Sequence, residues 1–232
     1  MSLAGRLTAI RERIDAAARS AGRDPSQVRL VAVSKTFPIE AVREAWNAGQ
    51  RDFGENRVQE ALQKIGASAD LTIRWHLLGH LQSNKARKAA PAFSMIQSVD
   101  SVDLLVKLDR AAAETGARPD LLVQVDLAQE ATKFGAHTDE VRRILDAAAT
   151  CEAAQVRGLM TLPPVPDIPE DARPWFRQLR ELRDRWQAEG VPASMLQELS
   201  MGMSGDFEVA VQEGATIVRV GTAIFGSREV DD

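Results

Sequence analysis

Lys35 is set apart from the other lysines by its position. It closes the apolar run Leu30-Val-Ala-Val33, whereas Lys64, Lys85, Lys88 and Lys107 fall in helical patterns where a solvated face explains them, and Lys133 falls in a charged loop. Only 6 of the 29 basic residues are lysines. An amine at the end of a β-like run can be stripped of water, which disfavours the ammonium form and leaves a nucleophile suited to Schiff-base chemistry. A lysine that snorkels to solvent from a strand end fits the same pattern. The second chemical signal is a pair of small-residue loops, Ser200-Met-Gly-Met-Ser-Gly-Asp206 and Arg219-Val-Gly-Thr-Ala-Ile-Phe-Gly226. Gly202, Gly205 and Gly221 permit close backbone approach, and Ser204 and Thr222 add hydroxyl donors, as a phosphate monoester requires. Plain turns and caps are the rival explanation, with Ser204 capping a helix that runs through Ala210. Arg219 interrupts the run Thr216-Ile-Val-Arg-Val220 and needs a partner there. Either a carboxylate such as Asp126 supplies it, or the guanidinium faces a ligand's ring nitrogen or phosphate.

Other candidates are weaker. His76 sits inside an apolar pattern and reads as a satisfied core histidine, His80 follows Gly79 and could meet a ligand, and His137 reads as the cap or prelude of a helix. Glu55, Asp100 and Asp126 could compose a metal site of the sugar-isomerase kind, but no histidine lies beside them. The single cysteine, Cys151, rules out an intrachain disulfide and any zinc site built on CxxC pairs. The sequence has no tyrosine, so no phenol can serve as acid or base. A formal charge of −4 gives no electrostatic case for nucleic-acid binding. No stretch approaches the ~18 apolar residues that span a bilayer, and Met1 to Ile14 is amphipathic rather than signal-like. A cytoplasmic protein without membrane attachment is expected.

The elements that must position these residues alternate in type. Leu3, Leu7, Ile10 and Ile14 recur at helical spacing and predict a helix over 3–20. Strand patterns then follow at 30–34, 52–54, 73–78, 95–99, 121–127, 156–162, 196–201 and 216–220. Helical patterns separate them at 39–48, through 61 and 65, at 83–90, 102–115, 139–149, 172–189 and 207–212, with a short turn at 222–225. Trp175, Leu179, Leu182 and Trp186 form the apolar stripe of the helix over 172–189. Eight strand–helix units imply parallel strands joined by crossover helices. The expected architecture is α/β: one domain over 1–232, a (β/α)8 TIM barrel with an extra N-terminal helix, slightly shorter than the ~250 residues typical of that fold. An open doubly wound sheet is the runner-up, and it lacks its usual glycine fingerprint here. In a barrel the strand ends carry the chemistry, and these ends give Lys35, Asn56, His80, Asp100, Asp126, Thr161, Ser200 and Arg219.

A strand-one lysine facing a phosphate cup after strands seven and eight is a layout that suits pyridoxal phosphate. The sequence resembles the YggS/PROSC family of pyridoxal phosphate homeostasis proteins, relatives of the alanine racemase N-terminal barrel. The matching segments are Ala32-Val-Ser-Lys-Thr36, Phe53-Gly-Glu-Asn56 with Val58-Gln-Glu60, Trp75-His76, and Gly79-His-Leu-Gln-Ser-Asn-Lys85. They continue with Ser98-Val-Asp-Ser101, Gln124-Val-Asp126, Gly158-Leu-Met160, Leu199-Ser-Met-Gly-Met-Ser204, Val218-Arg-Val-Gly221 and Ile224-Phe-Gly226. The resemblance implies that Lys35 forms the Schiff base with the cofactor. It also implies that Ser204, Gly221 and Thr222 hold the phosphate with Ser200 nearby, and that Arg219 faces the pyridine nitrogen. Asn56 lies near the cofactor, and His80 falls within a family motif. Two positions depart from the family pattern: Arg57 stands where tyrosine is usual, and Asp126 where asparagine is frequent.

The resemblance further implies a cytoplasmic carrier of pyridoxal 5'-phosphate that takes part in vitamin B6 homeostasis without major turnover and passes the cofactor to apo-enzymes. Racemases of the related fold use a tyrosine from a second domain, and this chain has neither; a monomer is expected. The alternative is a slow amino-acid racemase using Lys35 with a nonphenolic second base. A metal-dependent phosphosugar enzyme is a third reading.

Overall fold

A computed structural model of the chain describes residues 1–128 and 134–226; Lys133 lies outside them. Among the described residues eight strands alternate with helices. The strands are β1 (Arg29–Val33), β2 (Asp52–Glu55), β3 (Arg74–Leu77), β4 (Met95–Val99), β5 (Asp120–Gln124), β6 (Gln155–Met160), β7 (Glu198–Ser200) and β8 (Ile217–Val220). All pair in parallel with their sequence neighbours, and β8 returns to β1 through Arg29↔Ile217 to Ala32↔Val220, closing the barrel. The expected (β/α)8 barrel is therefore the observed fold, and the doubly wound alternative is excluded.

Helix α1 (Leu3–Ser20) buries Leu3, Leu7, Ile10 and Ile14, and the Ser2 hydroxyl caps it by accepting from the Gly5 amide. It packs on the outside of the barrel against α8 (Phe207–Gln212) and α9 (Thr222–Phe225), the two helices nearest the eighth strand. The intervening helices are α2 (Ile39–Asn47), α3 (Val58–Ala67), α4 (Ala86–Ala89), α5 (Val102–Thr115), α6 (Thr138–Ala148) and α7 (Arg173–Ala188). In α7 the buried stripe is Phe176, Leu179, Leu182 and Trp186. Trp175, expected there, is only half-buried, because Phe176 holds the inward position one residue later.

Strand alternation sorts the core into two shells. Leu30, Ala32, Phe53, Leu77 and Ile96 face the helices. Val31, Met95, Leu122, Met160 and Ile217 form a small apolar cluster inside the barrel. Residues two positions along from these share the inward face. That parity sends Lys35 to the mouth above Val31 and Val33, and Arg219 into the lumen above Ile217.

Candidate cofactor site

A cavity of about 530 Å³ opens at the C-terminal mouth, a size in the range of small-molecule sites. Lys35, Asn56, Ser204, Arg219, Gly221 and Thr222 all line it. Lys35 follows β1 and is exposed on the cavity wall rather than enclosed. The desolvated amine expected from sequence is thus not observed; the amine is open to solvent and to an incoming ligand. Asn56 is positioned by glycine: a Cβ on Gly79 would lie 2.2 Å from the Asn56 carbonyl oxygen, so only glycine lets the third loop pass so near.

The seventh and eighth loops meet at one oxygen. Ser204 Oγ accepts from the Gly221 amide at 3.2 Å, the Thr222 hydroxyl at 3.3 Å and the Ala223 amide at 3.5 Å. Ser204 therefore does not cap the helix through Ala210. Asp206 holds that turn by accepting from the Met203 amide at 2.6 Å. Gly202, at φ +92°, supports the same loop, and a Cβ there would fall 2.5 Å from that of Ala210. Three donors converging on one oxygen form a cradle that fits a phosphate oxygen equally well.

Arg219 is buried at the cavity floor. It donates to Ser200 Oγ at 2.5 Å and to the Thr161 carbonyl at 2.8 Å. Burial lowers its guanidinium to about 10, against the opposing field of Asp206. It therefore remains a cation at neutral pH, with donors left over for a ligand. The nearby carboxylate is Asp206, not the Asp126 considered from sequence.

Ser200 and His80 do not line this cavity. Ser200 lies beneath Arg219, as just described. His80 stacks on Phe134 with ring centroids 3.8 Å apart and pairs through Nδ1 with Asp100 Oδ2 at 3.1 Å. His76 is a satisfied core histidine, as its sequence pattern indicated. His137 occupies the N-cap position of α6. Among the described residues no group of three or more His, Cys, Asp or Glu side chains could hold a metal ion, so Glu55, Asp100 and Asp126 do not gather into one. None of the described helices is long and apolar enough to cross a membrane.

Sequence reasoning missed a cluster behind Lys35. Lys64, expected on a solvated face, is buried. Its ammonium donates to the Ser34 carbonyl at 2.7 Å, to Glu55 Oε1 at 2.8 Å and to Glu60 Oε1 at 3.0 Å. Glu60 also accepts from the Thr36 amide at 2.6 Å, so both neighbours of Lys35 are tied to α3. The i, i+4 spacing of Glu60 and Lys64 was the available clue, but it reads equally well as a surface pair.

Comparison with known proteins matches this geometry. The alanine racemase N-terminal domain family covers residues 6–229. The pyridoxal phosphate homeostasis protein of Aquifex aeolicus is 43% identical over 229 residues, spanning 99% of this chain and all of that protein. Its counterpart in Pseudomonas aeruginosa is 40% identical over 228 residues, spanning 98% of this chain and 96% of that one. The structure of PipY from Synechococcus elongatus with pyridoxal phosphate bound superposes with a TM-score of 0.86. It is 44% identical, with 97% of this chain and 100% of that one covered. Alanine racemase of Clostridium difficile shares the fold alone, at a TM-score of 0.74 and 16% identity over 99% of this chain and 58% of its own. Matched along nearly its whole length, the chain belongs to the pyridoxal phosphate homeostasis protein family, built on the barrel of the alanine racemase N-terminal domain.

Proposed function

We propose that this chain binds pyridoxal 5'-phosphate and holds it reversibly on Lys35 as part of intracellular vitamin B6 homeostasis, without major catalytic turnover. The observation that carries the reading is the convergence of three recognition elements in one cavity: an accessible amine, a cradle of hydroxyl and amide donors, and a buried guanidinium. The names of its relatives and the bound state of PipY support the choice of ligand. Ser204, Gly221 and Thr222 hold the phosphate, and Asn56 flanks the ring. Arg219 faces the ring nitrogen, with Ser200 acting beneath it, and His80 stands at the mouth beside Asp100. The Lys35 amine adds to the aldehyde carbon, and the carbonyl oxygen leaves as one water. Hydrolysis reverses the bond without any oxidant or reductant, which suits a carrier.

The lack of turnover follows from two features of this chain. Arg219 can only donate, so it leaves the ring nitrogen an acceptor without a proton, and an unprotonated ring is a poor electron sink. The sequence also contains no phenol to act as a second base. A monomer in the cytoplasm that passes the cofactor to apo-enzymes completes the reading.

Borohydride reduction followed by peptide mapping tests it: one pyridoxyl group on Lys35 is the expected result. A label on another lysine, or none, refutes the assignment. In a racemisation assay, enzyme-like exchange of amino-acid enantiomers that disappears in Lys35→Ala would replace the carrier with a slow racemase.

A further inference from the structure

We propose that His76 and Gln97, which do not line the cofactor cavity, are positioning residues that aim Arg219 through a one-directional hydrogen-bond chain inside the barrel. The chain begins at the Arg219 guanidinium, 2.5 Å from Ser200 Oγ. Ser200 Oγ lies 2.5 Å from Gln97 Oε1, and Gln97 Nε2 lies 3.1 Å from His76 Nδ1. His76 Nε2 lies 3.0 Å from Asp52 Oδ1, and Arg74 closes the far end by pairing with Asp52. Both His76 and Gln97 are fully buried. Each comes from a different strand, so the chain crosses the lumen from the floor of the cavity to the opposite rim of the barrel.

The donor inventory dictates the direction of every link. Arginine only donates, so Ser200 Oγ accepts and its own proton goes to Gln97 Oε1. That fixes the amide, whose Nε2 then donates to His76 Nδ1. The imidazole is therefore neutral with its proton on Nε2, and Asp52 accepts that proton's hydrogen bond. Burial, which pushes the His76 imidazole down, agrees with the neutral form although Asp52 opposes it. The lumen around the chain is lined by Val31, Met95, Leu122, Met160 and Ile217. The acceptor it offers is the weak Met95 thioether, 3.7 Å from Gln97 Nε2, which accepts from the amide's second N–H and leaves the direction of the chain unchanged. Breaking one link leaves the Ser200 hydroxyl to turn elsewhere, and the guanidinium loses one of the two acceptors that set its angle, keeping the Thr161 carbonyl. Because a chain of this kind has one allowed orientation, it specifies where the remaining Arg219 donors point.

The inference rests on the proposed cofactor reading, and two measurements separate them. With wild-type protein, histidine ¹⁵N NMR should show His76 as the Nε2–H tautomer, with its Nδ1 resonance shifting when pyridoxal phosphate is added. An Nδ1–H tautomer, or a resonance indifferent to loading, overturns the chain while a pyridoxyl group on Lys35 keeps the parent reading. A protein that takes up no pyridoxal phosphate overturns both. Gln97→Met should weaken cofactor affinity by roughly tenfold and move the absorption maximum of the bound form, whereas Gln97→Glu, which can carry a proton and close both links, should restore most of each. The Gln97→Met loss should vanish in an Arg219→Met background. Wild-type affinity and spectrum in Gln97→Met, or an undiminished loss in the double variant, would contradict action through Arg219. A merely structural role would lower melting temperature without moving the spectrum.

Discussion

Ser204 shows how a single hydroxyl can prepare a site before its ligand arrives. It collects two backbone amides and the Thr222 hydroxyl on one oxygen, so the donors already point at a common centre. A phosphate oxygen can take over those donors without rebuilding the loop, and the Ser204 hydroxyl is free to turn and donate. Ser204→Ala removes that donor from the bound state, so pyridoxal phosphate binding should weaken by about tenfold, the effect of one hydrogen bond worth ~1.5 kcal/mol. Titration followed by absorbance checks it, and an unchanged affinity would place the phosphate elsewhere. Lys35 differs in kind. Its alternation with Val31 and Val33 made its inward direction legible in the sequence, but its openness to solvent was not. Exposure depends on how far the other seven loops rise around the mouth, which no local pattern encodes. Arg219 was legible as an anomaly in an apolar run, while its true partners, Ser200 and Thr161, come from strands whose registry only the closed barrel sets.

At the level of elements, the loop after β1 is braced from behind by α3. Thr36 sits at φ +67°, a left-handed conformation unusual for a β-branched residue, and its amide is held by Glu60. Lys64 binds Glu60, Glu55 and the Ser34 carbonyl together, so it fixes the backbone on both sides of Lys35. Glu55 Oε2 has no hydrogen-bond partner among the described residues, and burial pushes its carboxyl up against the opposing effect of Lys64 and Ser34. Removing the ammonium would take the paired charge from this buried group and leave its Oε1 to the Ser34 hydroxyl at 2.7 Å. Lys64→Met should therefore destabilise the fold by about 3 kcal/mol, and Glu55→Gln in the same chain should recover part of it. Urea unfolding of the single and double variants measures both, and additive losses would dissolve the coupling. The helix pattern around Lys64 was legible, but its burial was not. Outward-facing Glu55 ends a strand too short to display an alternating signal, and the cluster exists only because α3 packs over that end.

For the whole molecule, a buried polar chain crosses the barrel lumen beside its apolar cluster and joins the two rims, and the lower rim contributes a distinct part of the response to acid. Burial alone would raise the Asp52 carboxyl, but hydrogen bonds from His76 and Arg74, with the charge of Arg74, outweigh it and lower the group to about 2 from 3.8. A folded value below the unfolded one stabilises the native state above the unfolded value, and that stability is lost as pH falls through the folded value. The shift corresponds to about 2 kcal/mol at neutral pH. The buried His76 acts with the same sign, since the unfolded chain takes up a proton that the folded one resists. Glu55, Asp100 and Asp206 are shifted upward mainly by burial, and they act in the opposite sense by keeping protons in the folded state to higher pH. Overall acid sensitivity therefore mixes two signs and cannot isolate this rim. A comparison with Asp52→Asn does isolate it. The variant should be about 2 kcal/mol less stable than wild type at pH 7, and the gap should close progressively between pH ~4 and ~2, where the native carboxylate takes its proton. Urea denaturation of both proteins at these pH values gives the gap directly. A difference that stays constant across the range would mean that Asp52 contributes through shape and neutral hydrogen bonds alone. The charge anchoring the lower end of the polar chain would then have no bearing on stability.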